Sequence, residues 1–271
     1  MQIQLKSFAK INLSLDVTGL TDHYLCMTTV MQSISLCDLI DIQISEGNGV
    51  HLSYKNMALM YDAPPTYQAI VNFCQSYSVQ HHLDITVHKN IPIKSGLGGG
   101  SSNLASIISA LNKLCPNPLR HDELVKFCHH YSKDSPFFFT GGTALVKQPE
   151  IFVQKLPCLI ENTYIVLIYV QPGLSTQEVC QRYRDVTGLS DTFYCRKWLD
   201  ACPSFECGNA FVQAALDLMP QLSDIAQHAH LSGTGSTFFQ IYHSLEMAEK
   251  SMNIWQRNLM FQCFLVRPLC H

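Results

Sequence analysis

The sequence predicts an α+β fold. Strand-like and helix-like segments alternate along the chain without strict βαβ regularity. The 271 residues are 47% hydrophobic and 14% charged, which suits a buried core and excludes intrinsic disorder. No internal repeat, low-complexity tract or long linker interrupts the pattern. A chain of this length makes one large domain or two small ones, with a boundary expected near residues 147–163.

Residues 2–19 alternate in places and then read INLSLDV, which predicts a β-hairpin or strand pair entering the core. Val30–Ile44 is a second strand-rich run. Leu83–His88 alternates apolar and polar residues and reads as a strand. Leu104–Leu114 carries apolar residues at helical spacing, with Ser101, Ser102 and Asn103 before it as candidate N-caps. His121–Tyr131 reads as a helix and Thr143–Val146 as a strand. The run YIVLIYV from Tyr164 is a strand, followed by helices near Gln177–Asp185 and Asn209–Leu218. Thr237–Tyr242 is a further strand and Glu246–Arg257 a further helix.

The formal net charge is −3, so no field of one sign points at nucleic acid or an anionic membrane. The N-terminus shows no uninterrupted apolar core of a signal peptide, and no stretch reaches 18 apolar residues. A cytoplasmic location follows as the default. Twelve cysteines and twelve histidines raise a disulfide framework or a metal site. Disulfide-dense domains are small and short of core. Metal sites need spacings such as C-x-x-C or H-E-x-x-H, and neither occurs. Cys202 and Cys207 are the nearest pair, with four residues between them. Most of the cysteines are therefore expected to pack as small apolar residues, and no protein-bound metal is expected.

The most informative stretch is Pro92–Asn103, PIKSGLGGGSSN, between a strand and a helix. Glycines allow positive φ and close approach to a ligand. A helix start offers unpaired N–H groups and partial positive charge, which together suit a phosphate. A flexible turn is the plainer alternative. A Walker A loop requires a Lys after the glycines, and none follows. A Rossmann fingerprint fits Gly96 and Gly98 but meets Ser101 at its third glycine. The partners of a protein-kinase glycine loop, H-R-D and D-F-G, are absent.

The segment P-x-x-x-G-L-G-G-G-S-S-N resembles the second motif of the GHMP kinases (galacto-, homoserine, mevalonate and phosphomevalonate kinases). Ala9-Lys10-Ile11-Asn12-Leu13 resembles their N-terminal motif, and Leu231-Ser232-Gly233-Thr234-Gly235-Ser236 their C-terminal glycine loop. All three occur in the family's order across nearly the whole chain. The further segments MQSISLCDLIDI, KDSPFF and GLSTQEV are nearest to members acting on a diphosphocytidyl alcohol of the non-mevalonate isoprenoid route.

The resemblance implies two α/β subdomains, a nucleotide-binding one over 1–147 and a C-terminal one over 148–271, with the active site in the cleft between them. It implies ATP as phosphate donor and Mg²⁺ bound mainly through the nucleotide phosphates. Pro92, Gly96, Leu97, Gly98, Gly99, Gly100, Ser101, Ser102 and Asn103 are the implied nucleotide-binding residues. Asp134 is the implied base and Lys10 its partner, orienting the acceptor hydroxyl and keeping the carboxylate ionised. Without the resemblance, Asp134 reads as a cap and Lys10 as a solvated strand lysine. Asn12 lies two residues from Lys10, on the same face of a strand. Asn12, Tyr24, Leu25, Thr176, Gly233 and Thr234 are the implied acceptor-binding residues. Ser175-Thr176 reads equally as a helix N-cap, and Gly233-Thr234-Gly235 as a tight turn. The partner is a small molecule, with no nucleic acid or membrane, and the protein a monomer or homodimer.

The chain departs from the family in three places. A segment close to R-x-D-G-Y-H, whose Tyr stacks on cytosine and whose His bonds the base edge, is here Leu20-Thr21-Asp22-His23-Tyr24-Leu25. Leucine cannot make that bond, so base discrimination is expected to fall. Pro64-Pro65-Thr66-Tyr67 replaces an Asn-Leu helix start, and Lys147-Gln148-Pro149-Glu150 a glycine-rich stretch. These changes leave two alternatives open: a catalytically silent nucleotide-binding protein on the same fold, or a kinase for another small alcohol.

Overall fold

The computed structural model describes residues 1–21, 24–56, 64–186, 194–195 and 207–270. Asp22, His23 and Cys202 lie outside the described residues. The chain forms two compact units, each assembled from separated stretches. The first is Met1–Ala9, Leu36–Ile91 and Gly98–Thr140; the second is Lys10–Ser35, Pro92–Leu97 and Gly141–His271. Position 147 falls inside the second unit. The interleaving has a simple cause: β1 (Gln2–Leu20) and β2 (Leu25–Ser45) each run from one unit into the other. β1 is one continuous strand where a hairpin or strand pair was expected. Its residues 9–17 are buried at successive positions, so the alternation that marks a one-faced strand is lost there.

In the first unit, β3 (Gly49–Lys55) pairs parallel with β4 (His82–His88), and β4 pairs antiparallel with the end of β2, Leu39 opposite His88 and Ser45 opposite His82. The helices are α1 (Pro64–Ser76), α2 (Gly99–Asn112), α3 (His121–Tyr131) and α4 (Ser135–Thr140). Alternation sends Ile40, Ile42, Leu83, Ile85 and Val87 to one side of this sheet. There they meet Phe73 of α1, Ile107, Ile108 and Leu111 of α2, and Cys128 of α3. Each such side chain, once fully buried, stabilises by about 1.5–3 kcal/mol before entropy is counted.

In the second unit, β5 (Thr143–Gln148) pairs antiparallel with the start of β2 and with β6 (Phe152–Leu156). β8 (Gly208–Asn209) pairs parallel with β1 at Ser14 and Leu15. A separate sheet has the order β11 (Phe261–Val266), β7 (Tyr164–Val170), β10 (Thr237–Tyr242) and β9 (His230–Leu231). β7 is its near-continuous apolar strand, buried from Ile165 to Val170. α5 (Thr176–Val186), α6 (Val212–Leu218), α7 (Ser223–Ala226) and α8 (Leu245–Trp255) complete the unit. Val166, Ile168 and Val170 pack with Val179, Phe211 and Phe238. Among the described residues no helix is long and apolar enough to cross a membrane.

The cysteines divide. Cys158 and Cys270 form a disulfide across 112 residues of sequence, a bridge that the expectation of packing for most of the cysteines did not include. The C-terminal strand end brings Cys270 into place: Leu269 N donates to Ser33 O at 2.8 Å and Gln32 Nε2 to Leu269 O at 2.7 Å. Such long-range pairing leaves no signature in the spacing. Among the described residues nine cysteines are free. Burial pushes the Cys128 and Cys195 thiols up to about 12. Their thiolate fraction is negligible at pH 8, so iodoacetamide should label both only after denaturation, as peptide mass mapping would show.

Candidate active site

The glycine-rich segment is divided between the units, and each part is built differently. In the first unit α2 begins at Gly99, with Gly98 as N-cap in the left-handed region at φ 71°. The helix thus starts one turn earlier than Ser101–Asn103 suggested, and those three residues lie inside it rather than capping it. Ser102 N donates to Gly98 O at 3.0 Å. Ser7 Oγ donates to Ser102 Oγ at 2.7 Å, and Ser132 Oγ to Ser101 Oγ at 2.6 Å. These bonds fix the first turn from β1 and from the end of α3. A Cβ on Gly100 would have nothing within 4 Å, so the backbone here is open to a ligand. Asn103 is buried, and its Oδ1 has no hydrogen-bond partner.

Asp134 belongs to the same unit. It immediately precedes α4, whose first turn it joins through Phe137 N donating to Asp134 O at 3.2 Å. The three phenylalanines after it form a helix. Pro136 sits in the first turn, where its missing N–H costs nothing.

In the second unit the structure brings together Lys10, Asn12, Gly96, Gly233, Thr234 and Thr176. Lys10 is 3% exposed, and its Nζ donates to Asn12 Oδ1 and to Gly96 O, both at 2.6 Å. The two side chains share a strand face, as their spacing predicts. Asn12 Nδ2 donates to Thr29 Oγ1 at 2.7 Å, which fixes the amide's orientation. Ser232 Oγ donates to Gly96 O at 3.1 Å. Gly233 packs so closely that a Cβ would stand 3.0 Å from Gly96 O and 3.2 Å from Lys10 Nζ. Its loop joins β9 to β10 and is therefore a hairpin turn as well as part of this cluster. Thr176, the first residue of α5, places its Oγ1 3.1 Å from Thr234 Oγ1. Pro92 opens the loop and accepts from Ser95 Oγ at 2.6 Å; Leu97 is fully buried and its carbonyl accepts from Lys10 N at 3.0 Å.

Tyr24 and Leu25 separate. Tyr24 is 53% exposed, whereas Leu25 turns into the second unit's core with Leu15 and Val17. Leu25→His should therefore lower thermal stability by about 1–3 kcal/mol, since an imidazole would be buried among apolar side chains. A thermal melt checks this.

Several contributors escaped sequence reasoning. Ser7, Thr29 and Ser132 are ordinary polar residues with no motif signal. Asn209 donates through Nδ2 to Leu231 O and Gly233 O at 3.0 and 2.7 Å, bracing the glycine turn.

The class to which this chain belongs is that of nucleotide-dependent phosphotransferases, the GHMP kinases. Residues 65–142 match the model of the GHMP kinases N terminal domain. The 4-diphosphocytidyl-2-C-methyl-D-erythritol kinase of Carboxydothermus hydrogenoformans is 32% identical over 278 residues, covering 96% of this chain and 94% of that one. The enzyme of that name from Desulfitobacterium hafniense is 30% identical, covering 94% and 92%. A crystal structure of 4-(cytidine 5'-diphospho)-2C-methyl-D-erythritol kinase superposes with a TM-score of 0.78 at 22% identity, over 98% of this chain and 99% of that one. A mevalonate kinase gives 0.74 at 15% identity, over 99% and 100%. These superpositions establish the α+β GHMP fold. The chain belongs to the 4-diphosphocytidyl-2-C-methyl-D-erythritol kinase family.

Proposed function

We propose that this kinase transfers the γ-phosphate of ATP to a hydroxyl of 4-diphosphocytidyl-2-C-methyl-D-erythritol, in the non-mevalonate isoprenoid route. The observation that carries the reading is 32% identity to a relative of that name across 96% of the chain. The hydroxyl oxygen attacks the γ-phosphorus, the bond to the β–γ bridging oxygen breaks, and ADP leaves. The hydroxyl proton passes to Asp134. Phosphoryl transfer of this kind depends on positioning and charge neutralisation. The amides of Gly98, Gly99, Gly100 and Ser101 are assigned to the phosphates. Lys10 is assigned to the acceptor oxygen and to the charge of Asp134. Asn12, Thr176, Gly233 and Thr234 are assigned to the acceptor and Tyr24 to its cytosine.

Mg²⁺ would neutralise phosphate charge and travel on the nucleotide. The first turn of α2 carries no acidic residue; Ser101 Oγ accepts from Ser132 and Ser102 Oγ from Ser7, and of the two hydroxyls Ser101 is the less buried. The protein is placed in the cytoplasm as a monomer or homodimer acting on small molecules.

The inward turn of Leu25 favours testing a second reading, a kinase for another small alcohol or a silent nucleotide binder. Rates with the cytidyl alcohol, mevalonate and homoserine as acceptors, each with ATP, separate these. Turnover confined to the cytidyl alcohol supports the proposal. Turnover of another acceptor, or ATP binding with no turnover, sinks it.

A further inference from the structure

Asp38 interrupts the apolar run SLCDLIDI of β2 and is fully buried. A lone carboxylate in such a place costs several kcal/mol unless its oxygens are satisfied. Here they are. Oδ1 accepts from Asn90 N and Ile91 N, both at 2.8 Å, and Oδ2 accepts from Lys89 Nζ. Asn90 Nδ2 closes the turn by donating to Cys37 O at 2.9 Å. The carboxylate therefore fixes the three residues that leave β4 and approach the glycine segment.

The Lys89 side chain is 7% exposed and runs to the start of α2. A Cβ on Gly99 would lie 3.1 Å from Lys89 Nζ and 2.9 Å from Ile91 Cγ2. This is an unfavourable address for a cation. The N-terminal end of a helix already carries partial positive charge and favours anions. The ammonium adds to that potential, and Asp38 is the side chain that holds it there. An ammonium and open amides converging on one point suit a polyanion such as a nucleotide phosphate.

We infer that Asp38 is a positioning residue for nucleotide binding, holding Lys89 and the Asn90–Ile91 turn against Gly99 so that the α2 amides and one ammonium present a single phosphate-binding surface. The inference rests on the nucleotide assignment made above. It makes no demand on the acceptor or on the base, so the two can fail separately.

The test uses calorimetric titration of the full chain with the non-hydrolysable analogue adenosine 5′-(β,γ-imido)triphosphate, alongside thermal melts. Asp38→Asn leaves the Lys89 ammonium buried against an amide, so both stability and affinity should fall, affinity by about tenfold. The double variant Asp38→Asn with Lys89→Met removes both charges. Replacing a buried pair whole is near neutral for folding, so the melt should return to the wild-type value while analogue affinity stays about tenfold weak. In steady state the same variant should raise KM for ATP with little change in kcat or in KM for the acceptor. Wild-type affinity in the stably folded double variant would overturn the inference, because the pair would then be only structural. If the wild-type chain binds the analogue but phosphorylates no cytidyl alcohol, the functional reading fails and this inference stands or falls on the titrations alone. A wild-type chain that does not bind the analogue overturns both.

Discussion

Asp134→Asn is expected to lower ATP-dependent phosphorylation by about 10²–10⁴-fold, the usual worth of a positioned general base. The substitution keeps shape and volume. It removes the negative charge and the ability to accept the hydroxyl proton. The backbone contact that ties this residue to α4, Phe137 N to Asp134 O, is indifferent to the side chain. The fold should therefore survive, and nucleotide affinity should stay within about twofold, since the phosphates are assigned to α2 amides rather than to this carboxylate. Initial rates with the cytidyl alcohol and ATP, paired with titration of the ATP analogue, separate the two effects. Full turnover in the variant would remove Asp134 from the mechanism.

Gly96→Ala should be strongly damaging for a single added methyl group. Gly96 has φ 75°, where an L side chain pays about 1–2 kcal/mol. The new Cβ would stand 2.1 Å from Ser232 O and 3.0 Å from Gly235 N. Neither atom can retreat easily. Ser232 N is bonded to Thr237 O, and Gly235 N to Ser232 O, both at 2.9 Å. Relief requires the two loops to part, which breaks the contacts of Gly96 O with Lys10 Nζ and Ser232 Oγ. Strain and overpacking together predict a loss of about 2–5 kcal/mol. Lys10 loses its bond to Gly96 O, so activity falls with stability. Gly100→Ala is the control: its Cβ meets open space and it lies in a helix, where Ala is the better residue. A thermal melt of both variants checks the contrast.

Much of the fold was legible where one physical signal dominated. His121–Tyr131 has helical spacing and became α3. LDITVH and TFFQIY alternate or run apolar for strand length, and they became β4 and β10. The reading failed where signals compete. The glycines before Ser101 have low helix propensity and were read as loop, yet Gly98 in the left-handed region starts α2 there. SPFFFT has the composition of a strand and forms a helix, because Ser135 and Pro136 suit a first turn. The division into compact units was hidden because β1 and β2 each serve both, and no composition change marks such a crossing.

At the site, Lys10 and Asn12 were legible as one face of one strand. Ser232 stood in a recognised glycine loop, although nothing local foretold that its hydroxyl would reach Gly96. Asp38 carries a signal of its own: an acidic residue inside an apolar strand run must find donors. Leu25 shows the reverse. Its position matched a base-reading residue, but a leucine follows the hydrophobic effect into the nearest core.

The most direct test of the account follows the label from [γ-³²P]ATP in the purified chain, with Mg²⁺ and 4-diphosphocytidyl-2-C-methyl-D-erythritol. The account predicts that label leaves ATP, appears on the cytidyl alcohol one phosphate heavier by mass spectrometry, and fails to transfer in the Asp134→Asn variant. Label that stays on ATP or passes only to water, with the wild-type chain folded and the analogue bound, would contradict it.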